Sequence, residues 1–229
     1  MFRNKHVRSL FPTHRDGAYS GALIHSNILH GSDKGAMIIN GGSFVNFSNN
    51  LVVGAQTNQL ELNFCYKPDN PRVTSWPGNT ITTNIFTWNS TRSDTTAFGI
   101  PGPPNGPPCI WVPSRVSHSD KNLFWNPMLG NASSARLFPG GLTFKQWQHG
   151  NSSSSSSHQA QAQAQAQAQS HPPFAFPAYD TSSLIGVNPQ SVGDPYDGKL
   201  AQGSPAVTQL GFVPLPDIEG AAPEWYRSS

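Results

Sequence analysis

Alternation of apolar and polar residues marks the clearest predicted strand of the chain. From Gln59 to Tyr66 the sequence reads Gln-Leu-Glu-Leu-Asn-Phe-Cys-Tyr, with a large apolar residue at every second position. A period of two places these side chains on one face of a strand. Residues 80–88 are rich in Thr, Ile, Phe and Trp, which fit a pleated surface because they are branched or bulky at the β carbon. Both segments are therefore predicted to be β-strands.

Shorter apolar runs and turn sequences continue this pattern through the middle of the chain. The runs lie at residues 95–100, 109–112, 122–125 and 142–147. Between strands lie segments rich in Pro, Gly and Asn, such as 67–71 and 76–79, whose fixed or positive φ angles favour turns. This arrangement predicts a mainly β fold, namely an irregular antiparallel sandwich or a barrel-like domain. Residues 18–30 fit either a short helix or a strand.

Residues 38–53 carry a turn signal between apolar runs. The segment contains Asn40-Gly41-Gly42, and two successive glycines supply positive φ angles without steric cost. Its Asn and Gly positions also resemble the corners of one coil of a β-solenoid. A solenoid needs at least about three stacked repeats, and the sequence shows one. The segment is therefore interpreted as a hairpin.

Composition divides the chain into four segments. Residues 1–20 form a polar N-terminal arm, and residues 21–149 form the β-rich domain that holds nearly all of the predicted core. Residues 150–171 contain a serine tract and a Gln-Ala repeat, and are predicted to be a low-complexity linker. Residues 172–229 are interrupted by Pro throughout, which predicts an extended C-terminal tail that packs on a partner.

Charge and composition exclude several classes of protein. Only 11% of residues are charged and the net charge is +2, so no basic surface for nucleic acid is expected. No apolar run approaches the roughly 20 residues that span a bilayer, and no signal-peptide pattern opens the sequence. We therefore expect an intracellular or assembly-associated protein. Cys65 and Cys109 lie in apolar runs and are predicted to be buried thiols, with a disulfide as the alternative.

No catalytic, cofactor or metal motif is present in the sequence. Phosphate-binding, zinc-protease and nucleophile-elbow patterns are all missing, so no catalytic, cofactor-binding or metal-binding residue is assigned. His25 and His30 have the wrong spacing for one strand face. His118 and Asp120 are two residues apart and could share a face, as a base and its orienting acid, but a polar turn that caps the next segment is the preferred explanation.

Aromatic residues supply the main ligand-binding hypothesis. The chain has 6 Trp, and four of those in the predicted domain could form a platform that stacks on a glycan or another ligand: Trp76, Trp88, Trp111 and Trp125. Packing in the core is the competing explanation. We expect a non-enzymatic structural or interaction protein, such as a coat or surface assembly subunit, with protein partners or self-association. A Trp-based carbohydrate- or ligand-binding module is the alternative, and a hydrolase built around His118 ranks last.

Overall fold

Short strands dominate the structure. The computed structural model describes residues 13–15, 21–30, 35–40, 43–63, 78–90, 95–99, 116–129, 132–150, 177–192 and 199–215. In chain order the strands are β1 (Thr13–Arg15), β2 (Leu23–His25), β3 (Ile28–His30), β4 (Gly35–Asn40), β5 (Asn46–Ser48), β6 (Leu51–Val53), β7 (Asn58–Asn63), β8 (Asn79–Thr82), β9 (Ile85–Thr87), β10 (Thr96–Gly99), β11 (Val116–Asp120), β12 (Leu123–Trp125), β13 (Arg136–Phe138), β14 (Leu142–Thr143) and β15 (Leu184–Ile185). The prediction of a β-rich chain is confirmed.

The strands wind as successive coils that each visit three parallel sheets. Sheet A has the order β1-β4-β7-β10, sheet B has β11-β8-β5-β2, and sheet C has β15-β12-β9-β6-β3. Every pairing within these sheets is parallel, and among the described residues only the strand pair β13 with β14 is antiparallel. The predicted antiparallel sandwich or barrel is therefore wrong. From β1 to β12, strands that follow one another in the chain enter different sheets, so each pairs with a strand of a neighbouring coil.

The segment 38–53 illustrates this correction. It contains the end of β4 and all of β5 and β6, but β5 pairs with β2 and β8, and β6 pairs with β3 and β9. The hairpin interpretation is wrong for β5 and β6, because Asn49-Asn50 forms a corner between two parallel sheets, whereas Gly41 and Gly42 lie outside the described residues. Residues 80–88, predicted as one strand, are likewise two strands separated by a corner at Thr83.

The interior of the coils is filled by apolar side chains stacked in register. Sheet C supplies an inward row of Leu29, Val52, Phe86, Phe124 and Ile185. The rings of Phe86 and Phe124 stack with centroids 5.3 Å apart, and Phe98 of sheet A meets both edge-on. Register stacking of this kind makes each coil bury the side chains of its neighbours, so the core is continuous along the stack.

The last coils are closed by a helix and by residues far along the chain. Helix α1 (Phe144–His149) begins at a capping box in which Thr143 and Gln146 exchange hydrogen bonds. The predicted strand at 142–147 is therefore β14 followed by this helix. Tyr179 N donates to Trp147 O at 3.2 Å, and the two rings stack at 4.6 Å. β15 then adds a fifth strand to sheet C, so residues 179–185 share the core of the coils. The predicted segment boundaries stay predictions.

A second apolar cluster lies outside the coils. The outward row of sheet C, Ile28, Leu51, Ile85 and Leu123, packs against Ala206, Leu210 and Phe212 from the C-terminal part. This part includes helix α2 (Pro205–Thr208), which begins at the cap residue Ser204. Asn49 anchors it further, because its side chain accepts from Val213 N at 2.7 Å and donates to Val213 O at 2.9 Å. Residues 199–215 therefore cover the outer surface of sheet C.

Candidate functional site

A ladder of buried asparagines runs through the corner between sheets B and C. Asn27, Asn50, Asn84 and Asn122 occupy equivalent positions in four coils and are all less than 7% exposed. At each step the backbone N and side-chain Nδ2 of one Asn donate to Oδ1 of the next, at 2.9–3.0 Å. The residue before each ladder Asn has a positive φ angle, which turns the chain between the sheets (Ser26, Asn49, Thr83 and Lys121). The ladder satisfies backbone groups that a buried corner would otherwise leave unpaired.

The ladder has a direction, and it ends on a carboxylate. Every Asn donates toward the C-terminal coils, so the last one needs acceptors. Asn122 Nδ2 donates to Asp180 Oδ1 at 2.7 Å, and Asn122 N donates to Ser183 Oγ at 2.7 Å. Asp180 also accepts from Ser119 Oγ, from Ser183 Oγ and from Trp147 Nε1, at 2.6–2.7 Å. An ionised Asp is an acceptor-only group, which suits this end of the ladder.

Asp180 is fully buried, and no basic side chain is among its hydrogen-bond donors. Burial raises the pKa of Asp180, and the hydrogen bonds from Ser183, Ser119, Trp147 and Asn122 act in the opposite direction. Burial likewise raises the pKa of the neighbouring Tyr179, with a further contribution from Asp180. Tyr179 therefore stays a neutral phenol, whose OH donates to Val116 O at 2.7 Å. Asp180 and Tyr179 thus supply hydrogen bonds to buried polar groups at the end of the core.

The three sheets differ in how far their outer surfaces are exposed. Sheet C is covered by residues 199–215, as described above. In sheet A, Met37 and Leu60 face the core, and the next residues, Ile38 and Glu61, face outward. These two outward residues are each only 8% exposed. In sheet B the corresponding row positions are half-buried or exposed. Within the described ranges, sheet B therefore offers the accessible sheet surface.

This surface, the sheet B face, consists of two rows of outward side chains. One row contains Leu23, Asn46, Thr80 and His118, and the other contains His25, Ser48, Thr82 and Asp120. Because the strands pair in register, equivalent side chains repeat about every 4.8 Å along the stack. Seven of the eight residues can form hydrogen bonds, and one is a carboxylate. The surface is thus polar, regular and nearly uncharged.

The sheet B face brings together residues considered as catalytic candidates. His118 and Asp120 share the outer surface of β11, but Asp120 Oδ1 accepts from Ser182 N at 2.7 Å and so helps hold the last coil. His25 Nδ1 lies 3.1 Å from Ser48 Oγ in the neighbouring coil. Among the described residues, no cluster of three or more His, Cys, Asp or Glu could hold a metal. On the sheet B face, His25, His118 and Asp120 are therefore members of rows of hydrogen-bonding side chains.

Of the four tryptophans proposed as a platform, the two that the structure describes lie in different apolar clusters. Trp88 is 3% exposed and belongs to the inner core. Trp125 is half-buried and packs against the outer cluster of sheet C. Trp76, Trp111 and the two cysteines lie outside the described residues. The binding role of these tryptophans stays a prediction.

Sequence reasoning overlooked the ladder and an exposed aromatic residue beside the sheet B face. Each ladder Asn precedes two apolar residues, as in Asn27-Ile28-Leu29 and Asn84-Ile85-Phe86. This recurring triplet was the available signal, but the intervals of 23, 34 and 38 residues between ladder positions concealed it. Phe44 is 60% exposed and has a φ angle of 56°, and nothing in its sequence context marks it.

Three parallel sheets, winding coils and an internal asparagine ladder define a parallel β-helix. No protein-family model, curated protein or solved structure matches the chain. The helices of the described part do not have the length and apolar character needed to cross a bilayer. Functional inference therefore rests on the surfaces themselves.

Proposed function

We propose that the protein is a non-enzymatic interaction protein that presents the sheet B face to partners, including further copies of itself in an assembly. The observation that carries this proposal is the exposure of two in-register polar rows on sheet B, whereas Ile38 and Glu61 of sheet A and the outward row Ile28, Leu51, Ile85 and Leu123 of sheet C are buried. A regular surface on a rigid core keeps its shape when free, so little conformational entropy is lost on binding.

The rigidity of this surface supports a binding role. The inward residues of sheet B, Phe47 and Ile81, are completely buried, and the ladder crosses the adjoining corner. The outward side chains are therefore held at a fixed spacing, which favours a partner whose own surface groups repeat at the same spacing. A second copy meets this requirement, because two such faces carry the same spacing.

The C-terminal arm enters the proposal in a narrower form. We expected residues 172–229 to dock on neighbouring molecules, whereas residues 199–215 pack on sheet C of the same chain. Docking on neighbours by the remainder of the tail stays part of the proposal. A hydrolase centred on His118 stays the least supported alternative, since it also needs a nucleophile and an oxyanion site.

Sedimentation velocity over a hundredfold range of protein concentration tests the proposal. We expect association that depends on concentration, and a substitution of Thr82→Arg should weaken it about tenfold or more, because an unpaired charge would be buried in the interface. Gln209→Arg is the matched control, since Gln209 is exposed on the opposite, C-terminal part. A compact monomer at every concentration would contradict self-association, and an equal effect of both arginines would remove the sheet B face from the interface.

A further inference from the structure

The exposed residue Phe44 sits at a corner where the backbone favours glycine. Gly21, Phe44 and Gly78 each lie two residues before in-register positions of sheet B, and their φ angles are 78°, 56° and 87°. Left-handed backbone is unfavourable for residues with a β carbon, most of all for bulky ones. Two coils use glycine here and the third uses phenylalanine. The phenylalanine therefore imposes a local strain that glycine would avoid.

Packing does not compensate for this strain. Phe44 is 60% exposed and belongs to neither apolar cluster. Its ring lies against the backbone of Gly78, where an added β carbon would come within 2.4 Å of Phe44 Cδ1. Gly78 thus leaves room for the ring, and the ring stays available to solvent. An exposed aromatic side chain held in a strained conformation is typical of a binding position.

Two polar residues of the sheet B face, Asn46 and Thr80, each lie two positions along the chain from Phe44 or from its neighbour Gly78. Asn46 follows Phe44 by two residues, and Thr80 is in register with Asn46 on the next coil. Within the described ranges, neither the Asn46 amide nor the Thr80 hydroxyl makes a hydrogen bond to the protein. Leu23, 42% exposed and in register with Asn46, extends the apolar edge. An apolar ring and uncharged polar groups therefore meet at one edge of the sheet B face.

We propose that Phe44, Asn46 and Thr80 form a binding site for a neutral saccharide. A pyranose ring has an apolar C–H surface that can pack on the phenyl ring, and peripheral hydroxyls that can pair with an amide and a hydroxyl. The lack of acidic or basic side chains among these three residues favours an uncharged ligand. This proposal shares with the proposed function the assumption that the sheet B face is a binding surface. It does not require self-association.

Isothermal titration of the full chain with neutral oligosaccharides, and with uronate and sulfated oligosaccharides as a charged set, tests the site. We expect binding from the neutral set only. Phe44→Gly should weaken that binding about tenfold or more, while its Tm stays at or above the wild-type value because glycine relieves the strain. Phe44→Tyr should retain binding, and so should the control Met128→Ala, since Met128 is also an exposed apolar side chain, 53% exposed, on another part of the surface.

A second variant tests the site with Phe44 in place. Gly78→Ala puts a β carbon where the Phe44 ring lies, so displacement of the ring should also weaken binding. Unchanged binding in Phe44→Gly, or binding restricted to the charged set, would overturn the proposal. A lack of binding across both sets would also overturn the saccharide site. If Thr82→Arg still weakened self-association in that case, the proposed function would stand without the saccharide site.

Discussion

Replacing Asp180 with Asn tests whether the ladder must end on a group whose two oxygens can accept from Asn122 Nδ2 and Trp147 Nε1 at the same time. The substitution preserves shape but exchanges one carboxylate oxygen for an NH2 group. On one side of the carboxylate lie Asn122 Nδ2 and Ser183 Oγ, and on the other lie Trp147 Nε1 and Ser119 Oγ. Serine hydroxyls can rotate to accept, but the indole N–H and the Asn122 NH2 cannot. In either orientation of the new amide, its NH2 group therefore faces another donor, which is Asn122 Nδ2 on one side and Trp147 Nε1 on the other.

The expected cost follows from leaving one buried donor without an acceptor. This penalty is about 1–3 kcal/mol, and each kcal/mol lowers the Tm of a protein of this size by about 2–4 °C. Asp120→Asn is the matched control, because Asp120 is only half-buried and the remaining amide oxygen can still accept from Ser182 N. The control should change stability by less than about 0.5 kcal/mol.

The pH dependence gives the sign of the electrostatic contribution. Because burial raises the folded-state pKa of Asp180 above its ordinary value of 3.8, the folded protein binds the proton more tightly than the unfolded chain. The stabilisation that proton binding by Asp180 gives the folded state is complete at a pH below 3.8, and it is lost as the pH rises through the folded-state pKa. A protonated carboxyl can donate to a serine hydroxyl and still accept from Trp147, so the acid form is satisfied as well.

Urea unfolding followed by Trp fluorescence, from pH 4 to pH 8, measures both effects. The stability difference between wild type and Asp180→Asn should be largest at pH 4 and should narrow as the pH rises. A difference that widens toward pH 8 would show that the hydrogen bonds to the carboxylate outweigh its burial. Equal stability at every pH would refute the requirement for an acceptor at the end of the ladder.

Three further predictions concern the ladder, the linker and the capping box. Asn84→Ala should lower the free energy of unfolding by about 2–4 kcal/mol because it leaves buried groups in two coils unpaired, whereas Asn46→Ala, on the surface, should change it by less than about 0.5 kcal/mol in the same urea titration. Replacing residues 151–176 with six Gly and Ser residues should stabilise the protein by about 1.3 kcal/mol in thermal unfolding, since a loop roughly fourfold shorter costs less entropy to close; destabilisation would assign packing to that segment. Thr143→Ala should cost about 1 kcal/mol by removing the cap of α1, and an unchanged Tm would contradict the role of the capping box.

Local patterns predicted the strands better than their arrangement. The alternation beginning at Gln59 predicts a strand, and β7 confirms it over the described residues. The apolar residues of the run at 142–147 predict a strand, but most of the run is helix, because Thr143-Phe144-Lys145-Gln146 forms a capping box. A capping box is a specific hydrogen-bonded signal, so this difference could have been anticipated from the sequence.

Strand direction could not be predicted from the same patterns. A short strand, a corner and another short strand look alike in a hairpin and in a β-helix coil, because the side-chain alternation is identical. The difference lies in the partner: β5 pairs with strands from the preceding and following coils instead of with β6. Unequal coil lengths removed the periodicity that would have disclosed the repeat.

Composition and local patterns are sufficient to predict a β-rich chain with turns between its strands, low charge and a segment rich in Ser, Gln and Ala before its final part. These are properties of composition and nearest neighbours. Three features become visible only when the chain is folded: the sheets are parallel, four asparagines form one buried ladder, and Asp180, 58 residues beyond Asn122, ends that ladder. The exposure of the polar rows of sheet B and of Phe44 is visible only there as well. Long-range pairing sets these features, since burial and hydrogen-bond partners arise from residues that the chain brings together only when the coils stack.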